Sequence, residues 1–171
     1  TFTYVLAHNI LYTYIAPFLV PAGIASEIDQ VLLVFGLAAL LSIWIVGALI
    51  DQRLRALLII SCGLFAVAAL VVAFWITSAA VIYLTVALWG LAFGGLPALL
   101  QTALAKSAGE SADAAQSMLV TVWNLGIAGG GLAGGMLLQG VGVASFPWAV
   151  AGLLLLALMA TISLKDVSYT T

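Results

Sequence analysis

The sequence predicts an all-α membrane protein, a bundle of six transmembrane helices, and three observations carry that prediction. Hydrophobic residues make up 65% of the 171, charged residues only 6%, and the mean hydropathy is +1.31, whereas a water-soluble surface needs roughly a quarter of its residues charged. The apolar runs are long and mostly unbroken, unlike the alternating segments of about ten residues in an outer-membrane barrel, so they read as helices. The charges are also clustered. Asp51, Arg53 and Arg55 sit together in GALIDQRLR, flanked on both sides by apolar sequence of about a membrane's thickness.

Polar punctuation then marks six spans, at about 2–21, 30–50, 56–76, 79–104, 113–138 and 146–164, forming one bundle over residues 1–171. Glu27 and Asp29 close the first span and precede the second. The knot at 51–55 separates the second from the third, and Thr77-Ser78 separates the third from the fourth so briefly that these two must be antiparallel neighbours. Lys106 to Asp113 follows the fourth span, Gly140 to Val143 the fifth, and Lys165 and Asp166 the sixth. Threading these connections alternately across a bilayer puts Arg53, Arg55, Lys106 and Lys165 on one face and leaves the other without Lys or Arg. Positive residues mark the cytoplasm, so both termini are expected inside. The chain starts at Thr1 without a methionine or a basic leader, which reads as a trimmed chain or part of a longer one.

Composition also excludes functions. No basic cluster follows a phosphate backbone, so nucleic acid is not an expected partner. Cys62 has no second thiol and reads as a small buried hydrophobe. No group of His, Cys and carboxylates has metal-ligand spacing, and no cofactor is called for. The sole histidine, His8, precedes every serine, which argues against an intramembrane serine protease and against an enzyme generally. The glycine run at 126–135 lacks the Lys and Ser/Thr of a phosphate loop.

Two spans are unusual in themselves. Pro17 in YIAPFLVP and Pro97 in FGGLPALL each fall in the later half of the first helix of a triplet. Interrupted helices at corresponding places suggest two inverted three-helix repeats, although proline is common in membrane helices generally. The fifth span carries Gly126, Gly129, Gly130, Gly131, Gly134 and Gly135 in NLGIAGGGLAGG. Pairs such as Gly126/Gly130 and Gly131/Gly135 let a neighbouring backbone approach closely, and the run also suits a segment that bends or slides.

These motifs carry a resemblance. GALIDQRLR resembles the cytoplasmic-loop signature of the major facilitator superfamily. Gly47, Asp51 and Arg55 match, with Arg53 among the basic residues; Gln52 stands where a basic residue is usual and Leu54 where a second glycine is usual, as in the degenerate copy of the second half. WGLAFGGLPALLQTAL and QSMLVTVWNLGIAGGGLAGG are similar to helices ten and eleven of the drug and sugar efflux branch. The resemblance implies helices seven to twelve of a twelve-helix proton antiporter of the bacterial inner membrane, working by alternating access. It also implies that Gly47, Asp51, Arg53 and Arg55 form a conformational-switch loop.

Polar groups inside the spans are costly, so each is a candidate for function. His8, Asn9 and Tyr12 lie together on the first span; Trp89, Phe93 and Gln101 share a face of the fourth; Ser117, Thr121 and Asn124, with Trp123, mark the fifth. Tyr12, Trp89 and Asn124 fall at comparable depth near the midplane, where transporter sites form. Converging, these faces make an aromatic-walled pocket with a few hydrogen-bonding groups, the composition of a small-molecule site. The competing reading gives Ser117, Thr121 and Asn124 to neighbouring helices or their own backbone, and Trp89 and Phe93 to lipid or packing. His8 titrates near neutrality in water and is a candidate proton-coupling group, or simply a hydrogen-bonded polar residue. The expected partners are the bilayer, a small-molecule substrate, and either another six-helix half or a second copy of this chain. The alternative function is a six-helix scaffold that transports nothing.

Overall fold

In a computed structural model, residues 1–163 are described and all regular structure among them is helical. Helix α1 (Phe2–Thr13) is broken at Tyr14 and continues as α2 (Ile15–Leu19) and a 3-10 turn to Ala22, bent by 71°. Pro17 is the cause. It has no N–H to bond the Thr13 carbonyl, and its ring crowds that carbonyl. The Tyr14 hydroxyl leaves the break to donate to the Gly131 carbonyl at 2.8 Å. Gly23, at φ +72°, then turns the chain through a left-handed conformation that residues with a Cβ rarely adopt.

Helix α3 (Ile28–Phe74) has one non-helical residue, Arg53. Two hydrogen bonds show what happens there. Ser42 Oγ accepts from the Gly95 amide at 3.0 Å, and Ser61 Oγ donates to the Ala92 carbonyl at 2.7 Å. On a straight helix Ser42 and Ser61 would lie about 28 Å apart at 1.5 Å per residue, yet both reach one turn of the same neighbour. The chain therefore doubles back at Arg53, and α3 is two antiparallel limbs, 28–52 and 54–74. Val46, Leu54 and Leu57 close over Leu99 beside the turn. The connection expected over 51–55 is thus reduced to a single residue outside helical geometry. Helix can continue up to the knot because its charged side chains remain exposed or half-exposed there.

Ser78 caps α4 (Ala79–Phe93), its Oγ accepting from the Val81 amide. Gly94 and Gly95 break the span before α5 (Leu96–Ala108), where Pro97 sits in the first turn and frees the Phe93 carbonyl as Pro17 frees that of Thr13. Helix α6 (Ala112–Gly140) runs unbroken through all its glycines, and α7 (Phe146–Ser163) completes the described residues. These two breaks fall beside Pro17 and Pro97. By length and composition, three continuous helical stretches (25–74, 79–140 and 143–163) can cross a membrane, and the bent α1–α2 pair makes a fourth if counted as one.

Glycines set the closest packing. Gly126 and Gly130 of α6 lie against Val5, Leu6 and Asn9 of α1, and Gly134 against Tyr14. Gly90 and Gly94 lie against the backbone of Phe35 and Ala39 in the first limb of α3. The outward surface is an apolar belt including Leu37, Trp44, Leu132 and Met136, as lipid requires. Asp51, Arg53, Arg55 and Lys106 surround an open concavity of about 600 Å³ at one end, where Arg55 donates to the Ile162 carbonyl of α7 at 3.3 Å. Lys165 and Asp166, expected at that same end, lie outside the described residues.

Candidate functional site

The site begins with the histidine. Trp89 of α4 donates its indole N–H to His8 Nδ1 at 3.0 Å. The Phe93 ring stacks on the imidazole with centroids 3.6 Å apart, and Tyr12, one turn along α1, stacks at 5.2 Å. Phe35 from the first limb of α3 packs on Trp89 at 4.7 Å, and Phe65 from the second limb stacks on its other side at 5.7 Å. Three elements thus build one aromatic wall. His8 and Trp89 are buried in it, at 6% and 2% exposure, while Tyr12 remains 46% exposed. That exposed ring marks the open side.

A second compartment adjoins the first. Pro97 and Gln101 of α5 face Gln116, Leu119, Val120, Trp123 and Asn124 of α6 across a groove of about 210 Å³. The Phe93 and Trp123 rings, 6.0 Å apart, join groove to wall. Gln101 and Asn124 are exposed, and Gln116 is half-buried. Each carboxamide can both donate and accept, and no side chain lining the groove is ionisable.

The structure therefore gathers His8, Tyr12, Trp89 and Phe93 into one aromatic cluster, which the Phe93–Trp123 contact links to the groove bearing Gln101 and Asn124. It sets Asn9 elsewhere: the amide Nδ2 donates to the Val5 carbonyl of its own helix at 2.8 Å, and its Cβ lies under Gly130. Thr121 and Ser117 are exposed and bond back to the carbonyls of Ser117 and Asp113. Of the glycines read as packing residues, Gly126, Gly130, Gly134 and Gly135 face α1 or Tyr14, whereas a side chain at Gly131 would meet open space; so would one at Gly47 in the charged knot.

Phe35 packs in the cluster, Phe65 backs it from the core and Gln116 lines the groove; none of the three is singled out by the sequence. A phenylalanine in an apolar span carries no local sign of which way it faces. Ser42 and Ser61 did carry a sign, as hydroxyls inside apolar runs. They satisfy the backbone groups that the α4–α5 break leaves open, and Tyr4, 2.9 Å from Ser61, ties α1 to the same point. Since Ser61 gives its proton to Ala92, Tyr4 is the donor in that pair.

No protein-family model matches the chain. Individual proteins do. A probable sugar efflux transporter of Mannheimia succiniciproducens is 28% identical over 158 residues, covering 88% of this chain and 38% of that protein. One of the same description from Helicobacter pylori strain G27 is 28% identical over 162 residues, covering 92% and 41%. The transcription regulatory protein OpdE of Pseudomonas aeruginosa is 30% identical over 154 residues, covering 89% and 38%. The chain spans about two fifths of the length of these relatives. Matched along about nine tenths of its own length to several proteins of this description, the chain is similar to efflux transporters.

Proposed function

We propose that the chain is the C-terminal half of a secondary efflux transporter, six spans in two inverted triplets, that moves a small hydroxylated molecule by alternating access. The observation that carries this reading is the junction, at the Phe93–Trp123 contact, of a largely buried aromatic cluster with an exposed carboxamide groove inside an otherwise apolar body. Amides that donate and accept suit hydroxyl groups, and ring faces suit the apolar side of a polyol. The names of several relatives point to sugars. The fold-back of α3 and the turn at Gly109–Ser111 divide the two longest apolar stretches, which supports six spans. Two features support the inverted repeat: the breaks beside Pro17 and Pro97, and a reciprocal pairing in which α1 packs on α6 while α4 packs on the first limb of α3. Proton coupling in this reading depends on carboxylates outside the chain, because every described Asp and Glu lies at a helix end or turn.

In the full-length protein, Asn124→Ala is expected to weaken sugar binding about 2- to 10-fold, the loss of one neutral hydrogen bond, with the amount in the membrane unchanged. Unaltered affinity would return Asn124 to a packing role and remove the groove from the site.

We assign the charged end to the cytoplasm of the bacterial inner membrane, by the positive-inside rule applied to Arg53, Arg55 and Lys106. Single cysteines at Gln52 and Ser78, in a Cys62→Ala background, test this in intact cells with a membrane-impermeant thiol reagent. Labelling is expected at position 78 and not at 52; the opposite pattern reverses the orientation.

A further inference from the structure

We infer that His8 is held as a neutral imidazole, protonated on Nε2, and that it serves as a fixed hydrogen-bond donor to an acceptor oxygen of the substrate rather than as a proton carrier. The second part of this inference rests on the transport reading above; the first does not.

The chemistry of one contact carries the tautomer. Indole N–H can only donate, and it points at His8 Nδ1 from 3.0 Å. Nδ1 must therefore offer its lone pair, which leaves the ring proton of the neutral form on Nε2. Protonating the ring would put N–H against N–H at this contact, so Trp89 opposes the charged form directly. Nothing around the ring offsets that opposition. The groups facing His8 are Tyr12 from its own helix, Phe35 from the first limb of α3, and Trp89 and Phe93 from α4. None carries a charge, and only Tyr12 is ionisable.

The same geometry gives Nε2 its task. Among the described residues Nε2 has no hydrogen-bond partner, yet no enclosed polar atom is left unsatisfied. Nε2 is therefore not sealed in: it keeps some accessible area, on a ring stacked against the exposed Tyr12. Stacking by Phe93 on one side and Tyr12 on another leaves the imidazole little freedom to turn. A donor fixed in this way selects a ligand with a hydroxyl, ether or carbonyl oxygen at that point and disfavours a cation.

The test uses the full-length protein with nitrogen-15 histidine, His8 being assigned by difference from His8→Phe. The expected spectrum shows Nε2 protonated and Nδ1 bare, unchanged from pH 5.5 to 8. Trp89→Phe, which keeps a ring and removes the N–H, is expected to give a mixture of tautomers. Imidazolium within that pH range, or a pure Nε2–H form that persists in Trp89→Phe, overturns the lock.

Methyl glucoside, with binding followed by tryptophan fluorescence, tests donation. Binding should shift the Nε2–H signal. His8→Gln, which restores a donor near Nε2, should hold affinity within about threefold, while His8→Phe and His8→Asn should lose about tenfold, the scale of one well-made neutral hydrogen bond. Binding that leaves the Nε2–H signal and all three variants unaffected overturns the donor role. Failure of methyl glucoside to bind at all, with the tautomer result intact, counts against the sugar reading and not against the lock.

Discussion

Replacing Gly94 with valine is expected to remove most of the folded protein from the membrane. A Cβ at this position would run into the Ala39 carbonyl oxygen and lie 2.6 Å from its Cα, both backbone atoms that cannot rotate away. The α4–α5 break would have to lift off the first limb of α3, pulling the Gly95 amide from Ser42. Overpacking of this kind costs about 1–3 kcal/mol or more, and the lost hydrogen bond about 1 kcal/mol more. Against a typical total stability of about 5–15 kcal/mol, this is enough to deplete the native state severely. Gly36→Val is the matched control, because a Cβ there meets nothing within 4 Å. The measurement is the yield of monodisperse protein after detergent extraction. Equal yields for the two variants would show that the α3–α4 contact is looser than this geometry requires.

The second large effect concerns completeness of the site. Reconstituted alone, residues 1–171 are expected to carry no sugar flux, and joined to a partner six-helix half they are expected to carry it. Tyr12, Gln101, Thr121 and Asn124 are all exposed in this chain. Facing lipid, each unpaired amide would cost on the order of 1–3 kcal/mol, so a second wall is needed both to cover this face and to close a cavity. Vesicles holding at most one copy of the chain separate the outcomes. Flux from such vesicles refutes the half-site argument, and flux that appears only at several copies per vesicle makes the second wall another copy of this chain.

What was legible in the sequence is what depends on local chemistry. The all-helical, membrane-spanning character of the chain followed from hydropathy, because only long apolar helices satisfy their own backbone in a bilayer. The two breaks followed from Pro17 and Pro97, because a missing N–H disrupts the same i to i−4 bond wherever it occurs. The exposure of the charged knot followed from the cost of placing Asp51 and Arg53 anywhere but in water.

Facing was decided by tertiary structure alone. Asn9 and Tyr12 looked equally suited to the cavity, yet Asn9 lies beneath Gly130 and Tyr12 stands open. Gly90, Gly94 and Gly95 drew less notice than the run at 126–135, yet they make the tightest approach of α4 and α5 to α3. In water, an amphipathic stripe tells which side of a helix is buried. Here lipid and protein interior are equally apolar, so the helices show no such stripe, and each one's rotation is set by where small residues let backbones meet. Those meetings involve residues far apart in the chain, Gly94 with Ala39 and Gly130 with Asn9, and no property of either residue alone encodes the pairing.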